Sequence, residues 1–360
     1  MLTHTIIPRL EGWFSLGGED YDVVVATSFH LARNIEDLSF TDTFGPDDAV
    51  TLRKRVEQTF LNMPGEYRLL DHDTLRPEAI RFYHSREMLR YVEAGAVSIL
   101  SPDDTIAVHL GGEDHLTLTS FTGGWNPEEA LHRVRVLDHG LEEHLPWAVS
   151  LRLGYLSPRV ESVGTGLVAE AVLFLPALRQ GAGIPAARGL DTDGTATGGK
   201  RVGGPLPGLS QDRVEIHQVS SGAFLESSLY RVRCRARFPE GEEDTIALLE
   251  ETVQRLVHYE REARERLRGE HLLTVSDAVN RARGLLGSAL TLTQEEAVAQ
   301  AALLRLGASC GLIESPGPEG ATVLLYAADD DAVALLGDGE GASPDERRAR
   351  LIGSILRDRV

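Results

Sequence analysis

The segment Tyr230-Arg-Val-Arg-Cys-Arg-Ala-Arg-Phe238 alternates without a break. Only an extended chain puts Tyr230, Val232, Cys234, Ala236 and Phe238 on one side and Arg231, Arg233, Arg235 and Arg237 on the other. The fold must therefore include a sheet with a buried face here and an opposite face carrying four guanidinium groups. Two uses of the charged face stay open. It is the solvent side of an edge strand, where charge discourages pairing with other chains, or it is a stripe that binds an anion.

Neighbouring patterns fill in the rest. Strands are expected at Asp22–Ala26, Thr105–Leu110, His115–Thr119, Ala148–Tyr155 and Val214–Ser220. Leu52, Val56 and Phe60, four apart, predict a helix over Pro46–Asn62. Asn126, Pro127 and Glu129 have helix-start chemistry, followed by an apolar face at Leu131, Val134, Leu137, Leu141 and Leu145. A long helix is expected from Glu242 to Arg268, then a domain boundary near Gly269 and helices over 276–286, 295–306 and 345–357. Thr293 with Glu296 and Ser343 with Glu346 form capping boxes for the last two. Gly307 and Gly311 read as a turn, and Thr322–Tyr326 as a short strand. Residues 179–212, rich in glycine and proline and poor in large apolar side chains, are expected to form a long mobile loop.

Charge narrows the partners. Thirty-six basic residues against 55 acidic give a net charge of −19, which repels nucleic acid and anionic membranes. The longest apolar run, Ala171–Leu178, is broken by Pro176 and is far short of the roughly 20 residues of a membrane helix. Cys234 and Cys310 cannot build a disulfide framework or a four-thiolate zinc site. Nothing at the start reads as an export signal, so a cytoplasmic protein is expected. His109, Glu113 and His115 share strand parity but lack a metal-site motif, and no metal is expected.

Five strings occur in order: Asp22-Val-Val-Val-Ala-Thr-Ser-Phe-His-Leu-Ala-Arg-Asn34, Gly111-Gly-Glu-Asp-His-Leu116, Gly154-Tyr-Leu leading to Val163-Gly-Thr-Gly-Leu167 and Leu175-Pro-Ala-Leu178, His217-Gln-Val-Ser220, and Glu260-Arg-Glu-Ala-Arg264. Together they resemble the bacterial protein arginine kinases of the ATP:guanido phosphotransferase family, over nearly the whole chain. The resemblance implies an α+β fold: a mainly antiparallel sheet flanked by helices over residues 1–268, then a helical C-terminal domain over 269–360 that can mediate dimerisation. It also implies transfer of the γ-phosphoryl group of Mg-ATP to a protein arginine.

The departures from the family pattern fall on its arginines. Two phosphate-facing arginines align with Ser28 and His30, a third with Thr117 and a fourth with Val168, while the active-site cysteine aligns with Arg159. Removing one preorganised charge donor costs about 3–4 kcal/mol of transition-state stabilisation. The expectation is therefore a cavity with too little positive charge for a triphosphate, in a pseudokinase with a binding or regulatory role in protein quality control. Its partners would be protein clients, an active arginine kinase or a second copy of itself.

By the same resemblance Glu113 holds the guanidinium and serves as base, and Asp193 is the second guanidinium-binding carboxylate. The motif's first two positions are Gly111 and Gly112. Arg33, His115, Gly164, Thr165, Gly166 and Arg188 are the surviving cofactor contacts, with Val163–Gly166 read as a turn whose following helix offers its amides to an anion. Asp345 and Arg348 match a phosphoarginine-binding motif. Two alternatives stay open. One is an active kinase whose clamp is rebuilt from Arg33, Arg159, Arg188, Lys200, Arg201 and the Arg231–Arg237 stripe; the other is a phosphoarginine-binding module.

Overall fold

The computed structural model describes residues 2–3, 8–90, 95–179, 213–219, 227–339 and 341–358. The loop expected over 179–212, with Arg188, Asp193, Lys200 and Arg201, lies outside them except for Arg179, which ends a helix. The order of elements is β1 (Leu2–Thr3), β2 (Val24–Arg33), α1 (Pro46–Asn62), β3 (Tyr67–Asp71), α2 (Pro77–Ser85), β4 (Val97–Leu100), β5 (Ile106–Leu110), β6 (Leu116–Gly123) and α3 (Pro127–Glu142). Then come β7 (Val149–Ser150), β8 (Gly154–Tyr155), β9 (Leu167–Phe174), α4 (Pro176–Arg179), β10 (Val214–Gln218) and β11 (Leu229–Arg235). Helices α5 (Glu242–Ser288), α6 (Gln294–Ser309), α7 (Pro318–Ala327), α8 (Asp330–Leu336) and α9 (Pro344–Asp358) complete the chain.

Nine strands form one sheet in the order β1-β3-β4-β5-β6-β2-β9-β11-β10. Every neighbouring pair is antiparallel except β1 with β3. This is the α+β architecture expected from the sequence. Helices α1, α3 and the first half of α5 cover one face, with Leu52, Val56 and Phe60 of α1 and Val134, Leu137 and Leu141 of α3 packed on Phe29, Leu31, Leu118, Ala169 and Val232. The other face packs Phe121, Val172 and Phe174 against Trp13, Phe14 and Tyr21, which join the second half of α5 with α6, α7 and α9. Both faces of the central strands are therefore occupied.

Caps operate as the sequence chemistry requires. The Asn126 side chain accepts from the Glu129 amide at 3.4 Å, Thr293 accepts from the Glu296 amide at 3.2 Å, and Ser343 and Glu346 bond reciprocally at 3.3 and 2.8 Å.

Several expectations need correction. β11 is not an edge strand, because β10 pairs outside it. The strand expected at 148–155 is reduced to two paired dipeptides around a turn. Residues 322–326 lie inside α7, and Pro318 at its first turn and burial on all sides explain why no helical period shows there. Gly307 is within α6, where a Cβ would come 2.5 Å from a Val279 methyl, so glycine permits the close crossing of α5 and α6. α5 runs on through Gly269 to Ser288, leaving helical geometry only at His271. Among the described residues no helix is long and apolar enough to cross a membrane.

Candidate functional site: a guanidinium cluster closed by a buried carboxylate

Register decides which side chains meet. Ser28 of β2 lies opposite Phe121 of β6 and Glu170 of β9, and His30 lies opposite Thr119 and Val168. Thr117 is two residues along from Thr119 and faces His109 of β5. Ser28, His30, Thr117 and Val168 thus share one sheet face, as the resemblance implied, and all four are buried. None brings a full positive charge. Burial, offset only in part by Glu170, lowers the His30 imidazole to about 4, so it is neutral at pH 7. Its Nδ1 accepts from an Arg90 N–H at 3.0 Å and the Thr119 hydroxyl at 2.9 Å, which leaves the proton on Nε2, 3.5 Å from Glu170.

Cations reach this face from elsewhere in the chain. Arg231 and Arg233 of β11 project onto it, and Arg233 pairs in register with Glu170. The charged stripe was read as either a solvent face or an anion-binding face, and its centre binds an anion that belongs to the protein. Glu170, 1% exposed, accepts from Arg233 Nε at 2.5 Å and lies 3.4 Å from Arg231 Nε. Arg231 also pairs with Glu87. Burial pushes the Glu170 carboxyl up, but His30, Arg233 and Arg90 outweigh it and hold the group below the usual carboxylate range. These side chains line a cavity of about 330 Å³ with His84, Ser85, His109 and His217. The expected shortage of positive charge is therefore corrected in kind: guanidinium groups are present, but Arg231 and Arg233 are already paired with the protein's own carboxylates. Arg90, Arg231 and Arg233 against Glu87 and Glu170 leave one net positive charge.

The motif residues that match the family pattern bond to the protein's own side chains and backbone. Asp114 accepts from Asn34 at 2.6 Å and Ser157 at 2.9 Å. His115 accepts the Ile35 amide on Nδ1 at 2.9 Å and so donates from Nε2 to the Ser39 carbonyl at 2.7 Å, leaving neither nitrogen for a cofactor or metal. Gly111 and Gly112 have φ of +90° and +92°, which explains why side chains are missing at these two motif positions. Glu113 points outward and pairs with Arg159 at 2.8 Å, both about half exposed. This guanidinium comes from the position expected to hold the cysteine.

Other candidates are drawn away from the cluster. Arg33 lies on the opposite face, 2% exposed, with two bonds to Asp138 at 2.9 and 2.6 Å and its guanidinium 3.5 Å from the Tyr155 ring centre. It is corrected from a cofactor contact to a fastener between β2 and α3. Gly164, Thr165 and Gly166 lead into strand β9 rather than a helix, so no helix N-terminus offers amides there. Gly166, at φ +67°, allows a close approach to the Ala32 carbonyl. Cys234 points to the helix-covered face, where burial pushes its thiol up to about 12. Arg348 bonds to the carbonyls of Ala328 and Leu292 and to Asp345 and Asp330.

Sequence reading missed Glu170, Arg90 and Glu87. For Glu170 a signal existed: it is a lone carboxylate in the apolar run Leu167–Phe174. Such a group is buried only when cations or donors meet it. A magnesium triphosphate does not fit this lining. A unit negative charge about 5 Å from the buried Glu170 meets a repulsion of about 3 kcal/mol at an effective dielectric near 20, and two of the three guanidinium groups beside it are already paired with Glu87 and Glu170.

Comparison with known proteins agrees with this architecture. Residues 50–193 match the family model for the ATP:guanido phosphotransferase C-terminal catalytic domain. The protein-arginine kinase of Symbiobacterium thermophilum is 30% identical over 320 residues, covering 86% of this chain and 85% of that one. The protein-arginine kinase of Clostridium novyi is 28% identical over 315 residues, covering 85% and 86%. Among solved structures, the duplicated taurocyamine kinase of Schistosoma mansoni with bound transition state analog components aligns with TM-score 0.53 at 17% identity, over 80% of this chain and 40% of that one. Lombricine kinase aligns with TM-score 0.52 at 16% identity, over 72% of each. The fold and the shared sequence together place this chain in the protein-arginine kinase branch of the ATP:guanido phosphotransferase family.

Proposed function

We propose that this chain is a pseudokinase of the protein-arginine kinase family, which keeps the family scaffold and acts by binding in cytoplasmic protein quality control. The observation that carries the reading is the buried Glu170 among His30, Arg231 and Arg233, on the same face as the neutral Ser28, Thr117 and Val168. A phosphoryl-transfer site needs uncommitted positive charge where the transferring group sits. Here Glu170 takes up Arg231 and Arg233, and Arg159 takes the outward Glu113. What remains for function is surface: contact with protein clients, with an active arginine kinase, or with a second copy.

Incubating the purified chain with Mg·ATP and arginine-rich client proteins tests the reading. No phosphoarginine and no heat of ATP binding are expected; phosphoarginine formed at a rate typical of kinases would overturn it. One observation favours a second reading, an active kinase with a rebuilt clamp: Arg90, Arg231 and Arg233 do line the cavity. On that reading Mg·ATP binds and its affinity falls when Arg231 or Arg233 is replaced. Phosphoarginine binding through Arg348 has less support, since that guanidinium is 1% exposed and its nitrogens already bond to the protein.

A further inference from the structure

Glu170 sits at the middle of β9, with Ser28 beside it on β2 and Arg233 on β11. Its two oxygens meet guanidinium nitrogens on one side and the His30 ring on the other. The arrangement has unspent donor capacity. Arg231 Nε is buried and finds no hydrogen-bond partner among the described residues, although it is 3.4 Å from the carboxylate. A planar carboxylate presents two oxygens in one plane, whereas a tetrahedral oxyanion presents several in different directions. The adjoining cavity supplies space on the open side.

We propose that Glu170 is the specificity-determining residue of this cavity: its carboxylate is the resident anion that shuts out polyphosphates, and without it the same guanidinium groups bind a compact phosphate. Glu170→Ala removes four heavy atoms where an orthophosphate has five, and the cavity supplies the remaining room. Removing the carboxylate also takes the ion-pair partner from the partly buried Arg233 and one of two partners from Arg231, a charge that a free anion then neutralises. The inference deepens the proposed function and rests on it only in naming polyphosphates as what the site refuses.

The test is anion-dependent thermal unfolding and calorimetric titration of the full chain with orthophosphate and with pyrophosphate, for the wild type, Glu170→Ala, Glu170→Gln and Glu170→Asp. The wild type and Glu170→Asp, which keep the charge, are expected to show no anion-dependent shift. Glu170→Ala is expected to melt lower and to recover as phosphate is added, and Glu170→Gln, which keeps the shape, to bind pyrophosphate at least tenfold more tightly than the wild type. Should Glu170→Ala fail to fold even in phosphate, Glu170→Gln decides. A folded Glu170→Gln with no gain, or a wild type that binds as well, overturns the inference. Phosphoarginine formation by the wild type would sink the pseudokinase reading while leaving the gain in Glu170→Gln intact, so the two failures are distinguishable.

Discussion

His30 shows how far a single position can move from what its alignment suggests. It aligns with an arginine, yet burial and the Arg90 guanidinium hold it neutral, and it accepts at Nδ1 while its Nε2 faces Glu170. That state ties stability to pH. The imidazole titrates at about 4 in the folded chain against an unperturbed 6.5, so between these values the unfolded chain binds the extra proton. Stability is then full above pH 6.5 and declines as pH falls toward 4, by about 3 kcal/mol from this group alone. His109, whose pKa burial lowers well below 6.5, adds in the same direction. We expect the urea midpoint of the wild type to drop over this window and that of His30→Gln to drop less; parallel curves would show that His30 is not the source.

At the scale of elements, side chains that resemble a functional motif turn out to fasten one element to another. Glu260 of the string Glu260–Arg264 accepts the Ala177 and Leu178 amides at the start of α4, and Arg264 bonds to Glu260 and to the carbonyls of Asp22 and Phe174. The string thus joins α5 to β9 and to the entry of β2. Gly307 plays a comparable part between α5 and α6, where its hydrogen leaves room for Val279. Gly307→Val is expected to cost about 1–3 kcal/mol through overpacking, read as a lower urea midpoint with an unchanged slope. An unaffected midpoint would mean the two helices can separate without loss.

At the scale of the molecule, the C-terminal helices complete the core under the sheet. Arg305 of α6 donates to the Tyr21 carbonyl, Ser309 to the Asp22 carbonyl, and Arg86 to the Tyr326 carbonyl of α7. A helix that continues past Gly269 with a kink at His271 and an apolar cluster shared by both regions predict a single calorimetric unfolding transition. Two transitions, one confined to residues beyond 269, would contradict it. The sequence alone determined the caps at Asn126, Thr293 and Ser343, the amphipathic helices and the half-buried β11, because these depend on period and local hydrogen-bond chemistry, and its resemblance to a known family implied the α+β class. It also marked the four neutral positions on the site face. It did not reveal α2, a helix of only nine residues, nor that α7 is a helix, since an element buried on every side has no polar stripe to read. Nor did it show that Arg33 lies on the face opposite His30 from its phosphate role, or that Arg231 and Arg233 would meet Glu170. Tertiary structure alone decided that last point: charge neutralisation is a property of distance, and residues 63 positions apart become neighbours only when β9 and β11 pair in register.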